Sequence, residues 1–211
     1  VQERMRRVVE IDPDTREIAW SYDAAAQNGN SGQRVEVHAF QPLPDGRVMI
    51  AESGPGRIIE VDREGRIVHE IALKIDHPNP HTDTRLARKL PDGHYLVAHE
   101  ADGAVREYSS EGEVIWEYKV PMFGKETRPG HGLDAFGNRC FAAVQLPVGN
   151  TLIATGNGHS VIEVTPAGKI VWALHQDDLP GIRLAWVTTL EVLPNGNYVI
   201  GNCHAGPGNP L

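Results

Sequence analysis

The sequence predicts an all-β protein, a β-propeller of four-stranded antiparallel blades, and three observations lead to this prediction. A tetrad Leu-Pro-x-Gly recurs four times, each copy is followed by a short apolar run, and no segment has the 3.6-residue period of an amphipathic helix. The chain also has 22 glycines and 15 prolines among 211 residues, which suits many turns between short strands. One four-stranded sheet cannot bury both faces alone, whereas sheets repeated about an axis bury each other.

The tetrads set the period of the repeat. Their leucines are separated by 47, 56 and 47 residues: Leu43, Leu90, Leu146 and Leu193. Each of the first three units has a strand with a shared glutamate and, further on, a large ring-bearing side chain. This side chain always lies 26 residues after the tetrad leucine, at His69, Trp116 and Trp172. A period of 47 fits one blade of four strands, which we name A to D, with strand A ending at the tetrad.

We predict three full blades and two complementary half-blades, one with strands C and D and one with strands A and B. Their approximate bounds are 1–30 (C–D half), 35–75, 82–120, 138–176 and 184–211 (A–B half). The halves could pair into a ring of four, or two chains could share halves in a ring of eight. We favour the third arrangement, an excerpt of a longer propeller, because an open ring exposes sheet edges.

Composition limits the partners. The formal net charge is −8 and the isoelectric point is near 5.7, which argues against nucleic acid or an anionic membrane as a partner, since both need a basic face. Apolar stretches are far too short to span a bilayer. Cys140 and Cys203 are too few for a disulfide scaffold, and they either form one bridge or are ordinary small residues.

Two kinds of segment carry a family resemblance. Residues 162–172 and 10–20 resemble the blade repeat of PQQ-like (quinoprotein-type) propellers, in which a tryptophan closes the fourth strand and docks on the next blade. Residues 90–98 and 146–154 are similar to an uncharacterised bacterial branch of these repeat proteins. The resemblance implies a β-propeller and an extracytoplasmic (periplasmic or secreted) location. It does not imply PQQ as a cofactor here, because the two cysteines are not vicinal and no calcium-binding set is found.

Six histidines are predicted to lie on one rim. In propellers strand A lines the central channel, and the connections before strand A and after strand B share a rim. These connections carry His77, His81, His99, His131, His159 and His204. Loops on the rim carry polar residues in any case because they are exposed to solvent. Imidazoles from several blades are nevertheless also suited to acid–base chemistry or metal binding.

Further polar and aromatic side chains join the histidines. The additional candidates for ligand binding are Arg85, Arg88, Glu100, Arg128 and Trp186. Arginines can hold a carboxylate or sulfate through two hydrogen bonds, and a tryptophan can stack on a sugar. The longest gap places extra residues within 121–139, before a strand A, where we expect a lid or wall of the pocket.

We therefore expect a His- and Arg-rich site at the channel mouth that binds a small polar ligand, either a carbohydrate or an organic acid. An enzyme of the lyase, hydrolase or transferase type is compatible with it. A divalent metal, if present, would take its ligands from His81, His99, His131, His159 and His204. The alternatives are a PQQ-dependent quinoprotein-like oxidoreductase and a non-catalytic protein-interaction scaffold. A second copy or missing blades would complete the ring.

Overall fold

The structure, a computed structural model, describes residues 6–206, so the ends of the predicted half-blades at 1–5 and 207–211 lie outside the described residues. The described part contains sixteen β-strands and no helix. Their bounds are β1 Arg7–Ile11, β2 Ile18–Asp23, β3 Glu36–Pro42, β4 Val48–Ser53, β5 Arg57–Val61, β6 Ile67–Ala72, β7 Ala87–Lys89, β8 Tyr95–His99, β9 Ala104–Tyr108, β10 Val114–Lys119, β11 Ala142–Gln145, β12 Thr151–Ala154, β13 Val161–Val164, β14 Ile170–Leu174, β15 Trp186–Val192 and β16 Tyr198–Cys203.

The strands form five antiparallel sheets, which confirms the predicted fold class. Sheet I is the hairpin β1–β2, sheets II to IV are four-stranded in the sequential orders β3–β6, β7–β10 and β11–β14, and sheet V is the hairpin β15–β16. Each full sheet therefore runs from strand A to strand D. Sheets I and V supply a C–D pair and an A–B pair, but they are not hydrogen-bonded to each other within the described residues.

Four apolar cores hold neighbouring sheets together, one at each junction. Between sheets I and II, for example, Tyr22 packs with Ile50 and Ile59, and all three are fully buried. The inner strand β4 is buried at every position, because its two faces contact two neighbouring sheets. The alternating exposure expected of a strand with one wet face is seen instead in β6, the outer strand of sheet II.

The repeated tryptophan docks sheet I on sheet II and sheet III on sheet IV, as the family resemblance implied; sheet II has His69 at this position. Trp20 Nε1 donates to Arg63 O, and Trp116 Nε1 donates to Pro166 O, both at 2.9 Å. Each acceptor lies in the C–D turn of the following sheet. Trp172 has no such acceptor among the described residues, and it is 38 % exposed, because sheet V lacks a C–D turn there.

This difference predicts unequal costs for the same substitution. We expect Trp20→Phe to lower the free energy of unfolding by about 1–2 kcal/mol more than Trp172→Phe, because only Trp20 loses an interblade hydrogen bond and a cation–π contact with Arg63. Urea denaturation of the two variants measures the difference. Equal costs would mean that the indole N–H contributes nothing to docking.

The cysteines do not pair. Cys140 is fully buried beside the carbonyls of His99 and Ala104, and burial raises the pKa of its thiol to about 12. Cys203 is exposed at the end of β16.

No helix in the described part of the chain could cross a membrane.

Candidate functional site

A cavity of about 1200 Å³ lies along the central channel, between the A strands of four sheets. Strands β7, β11 and β15 supply much of its wall, and the connections that precede them, together with residues of β3 and residues in and just after β8 and β16, supply the rest. Seven of the predicted site residues line it: His81, Arg85, Arg88, Glu100, His131, Trp186 and His204. The side chains that sequence reasoning expected around the channel mouth are therefore partly brought together.

One wall is built around the buried carboxylate of Glu36, at the start of β3. His81 Nδ1 lies 2.7 Å from Glu36 Oε2, and Arg34 Nη2 donates to Oε1 at 2.7 Å. His38 Nε2 lies 3.2 Å from the same Oε2 atom. Burial alone would raise the pKa of Glu36, but the hydrogen bonds from His81 and Arg34 lower it below its ordinary value. Glu36 is thus an anion that orients two imidazoles.

His38 is held in one tautomer by its neighbours. Arg85 Nη1, which can only donate, lies 3.1 Å from His38 Nδ1 and 3.4 Å from Nε2, so the nearer Nδ1 is the acceptor, and Nε2 carries the proton and faces Glu36 Oε2 at 3.2 Å. Burial, and then the nearby Arg85 charge, lower the pKa of His38 to about 4. His38 is therefore neutral at physiological pH and links Glu36 to Arg85.

Arg85 connects this wall to a second buried carboxylate. Its Nε donates to Glu100 Oε2, and Arg139 Nη1 donates to Glu100 Oε1 at 3.3 Å. The Arg85 guanidinium also lies over the Phe141 ring, 4.6 Å from its centroid. Glu100 thus has its charge balanced by two guanidiniums, and both of them line the cavity.

Arg88 differs from the other arginines of the wall. It projects from β7 and donates to two backbone carbonyls, those of Ala87 and Phe40. Among the described residues no carboxylate lies within salt-bridge distance of its guanidinium. Burial lowers the pKa of Arg88 below the ordinary arginine value, because the charge is poorly solvated.

An aromatic wall faces the cavity from the insertion and from sheet V. The rings of His131 and Trp186 are 4.7 Å apart between centroids, and those of His131 and His204 are 5.1 Å apart. His131 and His204 are exposed, whereas Trp186 is buried against Phe141. This cluster offers flat apolar surface with polar ring nitrogens at its edge.

Four predicted site residues do not line the cavity. His99 is fully buried and donates from Nδ1 to Asp83 O, so its Nε2 accepts from Tyr108; burial lowers the pKa of His99 to about 4. His77 is exposed beside Asp102. These two imidazoles hold loops in place.

The other two such residues lie at the insertion. His159 is buried, and its ring nitrogens face the carbonyls of Ala185 and Ala135. Arg128 is exposed, and its backbone pairs with Phe136 in the insertion. Because the ring nitrogens of His99 and His159 contact carbonyls and a phenol inside the protein, neither imidazole is available to a ligand in the channel.

The predicted metal set is not assembled. Of its five histidines, only His81 belongs to a close group of three or more possible ligands in the described part of the chain, and its companions are Glu36 and His38. The proton on His38 Nε2 and the adjacent Arg85 charge make this group a hydrogen-bonded network rather than a metal cage. Nor does it suit the calcium of a quinoprotein, which takes oxygen ligands. With no vicinal cysteines either, the residues do not fit PQQ.

Sequence reasoning left several wall residues out of the candidate set. His38 lies within strand A, and the rule that strand A lines the channel could have found it. Arg139 lies in the insertion, which was expected to form a wall. Glu36 gave no signal, since nothing in the sequence distinguishes a buried carboxylate from a solvated one.

Sheet order, interblade tryptophans and a basic channel together define a propeller of PQQ-like blades with a cavity on its axis. The chain belongs to the PQQ_2 family, whose model is described as outer membrane protein assembly factor BamB and matches residues 1–202. A search of curated proteins gives no match.

Solved structures agree on the fold. A protein of unknown function from Bacteroides caccae is 23 % identical, with a TM-score of 0.63, over 93 % of this chain and 79 % of its own. Virginiamycin B lyase from Staphylococcus aureus is 16 % identical, with a TM-score of 0.55, over 79 % of this chain and 48 % of its own. The Cps50 (Swd1) β-propeller domain of Myceliophteria thermophila is 15 % identical, with a TM-score of 0.58, over 94 % of this chain and 56 % of its own. The chain thus spans about half the length of the latter two.

Proposed function

We propose that the channel cavity binds a small anionic ligand, an organic acid or an acidic sugar, through its carboxylate. The observation that carries the proposal is Arg88, a partly buried guanidinium on the cavity wall with no carboxylate partner among the described residues. A charge that is partly withdrawn from water and has no counter-ion is unfavourable, and an anionic ligand would supply that counter-ion.

The charge balance of the wall supports an anion. Its other cations are already engaged: Arg85 and Arg139 share Glu100, and Lys89 is paired with Glu60. Arg88 therefore contributes a positive charge with no salt-bridge partner among the described residues; the remaining acidic side chain of the wall, Glu191, is exposed and is not within salt-bridge distance of it. The net charge of the protein is −8. A cleft with low-dielectric walls focuses such a local field and attracts anions in spite of the overall charge.

The aromatic wall supports a ligand with a ring or a flat apolar face. The exposed rings of His131 and His204, with the buried Trp186 packed behind them, can contact the face of a pyranose, while their ring nitrogens can bond its hydroxyls. A sugar acid combines the two features that these walls recognise. It also lies within both ligand classes expected from the sequence.

Titration calorimetry with D-glucuronate and with D-glucose tests the proposal, because the two probes differ mainly in one carboxylate. We expect glucuronate to bind and glucose to bind at least about tenfold more weakly, since one charge-assisted pair contributes about 1.5–3 kcal/mol. Arg88→Gln should remove the preference. The matched control is Arg66→Gln, at an exposed arginine paired with Asp62 outside the cavity.

Three outcomes would contradict the proposal. They are equal affinity for both probes, unchanged glucuronate binding by Arg88→Gln, and no binding of either probe at millimolar concentration. The last outcome would favour a scaffold whose partners are proteins.

A further inference from the structure

Glu36 and His81 form an oriented carboxylate–imidazole pair at the cavity, and we propose that His81 is the general base of a β-elimination on 4-linked uronates. The inference rests on the proposed binding of acidic sugars and adds a reaction to it. Three observations carry it: a free ring nitrogen on His81, a permanent anion behind it, and guanidiniums in the same cavity.

The orientation of His81 leaves one nitrogen available. Since Glu36 only accepts, His81 Nδ1 carries the proton of the 2.7 Å hydrogen bond, and Nε2 keeps its lone pair. No hydrogen-bonding partner of Nε2 is found in the part of the chain that the structure describes. The side chain is 32 % exposed and lines the cavity, so a ligand can reach it.

The negative charge of Glu36 favours proton uptake by His81. Its side chain is 2 % exposed, and Arg34 and two imidazoles bond it. Because the carboxylate stays ionised at neutral pH, it stabilises the imidazolium that forms when Nε2 gains a proton. An aspartate performs the same role behind the histidine of a catalytic triad.

An arginine in the same cavity would hold the substrate carboxylate. Arg88, on β7, has no carboxylate partner among the described residues and lines the cavity together with His81. Arg85 precedes β7, bonds Glu100 and contacts His38, whose ring is 5.5 Å from that of His81 between centroids. A carboxylate held by arginine gains electron density as the proton on the adjacent carbon leaves, so the guanidinium binds the transition state more strongly than the ground state.

The step balances without a co-reactant other than water. His81 Nε2 takes the proton from C5, the C–H electron pair forms the C4–C5 double bond, and the C4–O bond breaks. The departing oxygen takes a proton from water that enters through the open cavity. His81 then returns its proton to the hydroxide that is left.

The test uses trigalacturonate and follows the ultraviolet absorbance of the unsaturated product, together with deuterium uptake at C5 of recovered substrate in D₂O. We expect turnover by the native protein and a loss of about 100-fold or more in His81→Ala, with partial rescue by added imidazole. Glu36→Gln should slow the reaction at least about tenfold and shift its pH profile. Rescue and the pH profile distinguish a base from a residue that only supports the fold.

The structure offers a matched control in His94→Ala. His94 Nδ1 lies 2.8 Å from Glu107 in a similar pair, but this pair is outside the cavity. Turnover should be unchanged in that variant. If trigalacturonate or glucuronate binds while no product and no exchange appear, the base assignment is wrong and the binding proposal stands. If nothing binds, both fail.

Discussion

Replacing Arg106 by methionine is expected to lower the free energy of unfolding by about 3–5 kcal/mol. Arg106 is fully buried, and three carboxylates surround it: Nε bonds Glu117, Nη1 bonds Asp102 and Nη2 bonds Asp76, each at 2.6 Å. The Asp102 side chain is 1 % exposed. Methionine fills a similar volume but leaves that buried carboxylate without its guanidinium, with only the exposed His77 imidazole and two backbone amides as partners, which is the costly half of a broken ion pair.

The position of Arg106 explains why the effect should reach beyond one sheet. Nη1 also donates to Lys74 O, at 2.8 Å, in the connection that leads from sheet II to sheet III. Asp76 lies in the same connection. The Arg106 guanidinium thus links sheet III to the connection that comes from sheet II. Its loss should therefore also destabilise the cavity wall, which contains Glu36 and Arg85.

Acid titration of the native protein and of Arg106→Met provides a second measurement. Burial would raise the pKa of Asp102, but hydrogen bonds from Arg106 and from the Asp76 amide lower it to about 2. Since the folded pKa lies below the unfolded value of 3.8, the ionised group stabilises the fold above about pH 4. That contribution is lost as the pH falls toward 2, and the gap between the two proteins should narrow over this window.

A surface arginine is the control for this prediction. Arg66 is 73 % exposed and is paired with Asp62 and Glu64, so Arg66→Met should cost less than about 1 kcal/mol. Urea denaturation at pH 7 compares the two variants. Similar costs for Arg66→Met and Arg106→Met would contradict the importance of burial.

The fold was predictable because its turns demand particular residues. In each tetrad the glycine adopts a positive φ, between 85° and 93°, and its N–H bonds the carbonyl of the tetrad leucine. Proline and glycine are favoured in such turns for reasons of backbone sterics alone. A local requirement repeated four times leaves a periodic signal, and the period identifies the blades.

The candidate site was predictable only in part, because it depends on contacts between distant segments. His81, in the connection before β7, and His99, at the end of β8, were expected on the same rim, yet one lines the cavity and the other bonds Tyr108 and Asp83 O inside the protein. Which direction an imidazole takes is decided by neighbouring sheets, and no local pattern records it. Glu36 was missed for the same reason.

Glycine conformation also controls the cavity, and Gly156 should tolerate no side chain. It has a φ of 58°, and a Cβ atom added there would lie 1.8 Å from Arg139 O. The obstacle is backbone, so no rotamer change can relieve it. Gly156 O also accepts the N–H of Val187, next to Trp186. We expect Gly156→Ala to cost more than about 4 kcal/mol, beyond the usual range for one substitution.

Gly149→Ala separates this clash from the cost of a positive φ. Gly149 lies in the tetrad turn of the same sheet with a φ of 85°, and an added Cβ would meet nothing within 4 Å. Its cost should be about 1–2 kcal/mol, the ordinary penalty for a left-handed residue. Both variants are compared by urea denaturation and by glucuronate calorimetry. Relief of the clash must displace Arg139 or the segment that carries Trp186, so only Gly156→Ala should weaken glucuronate binding. Equal effects of the two variants on binding would show that the close approach of Gly156 to Arg139 does not shape the cavity.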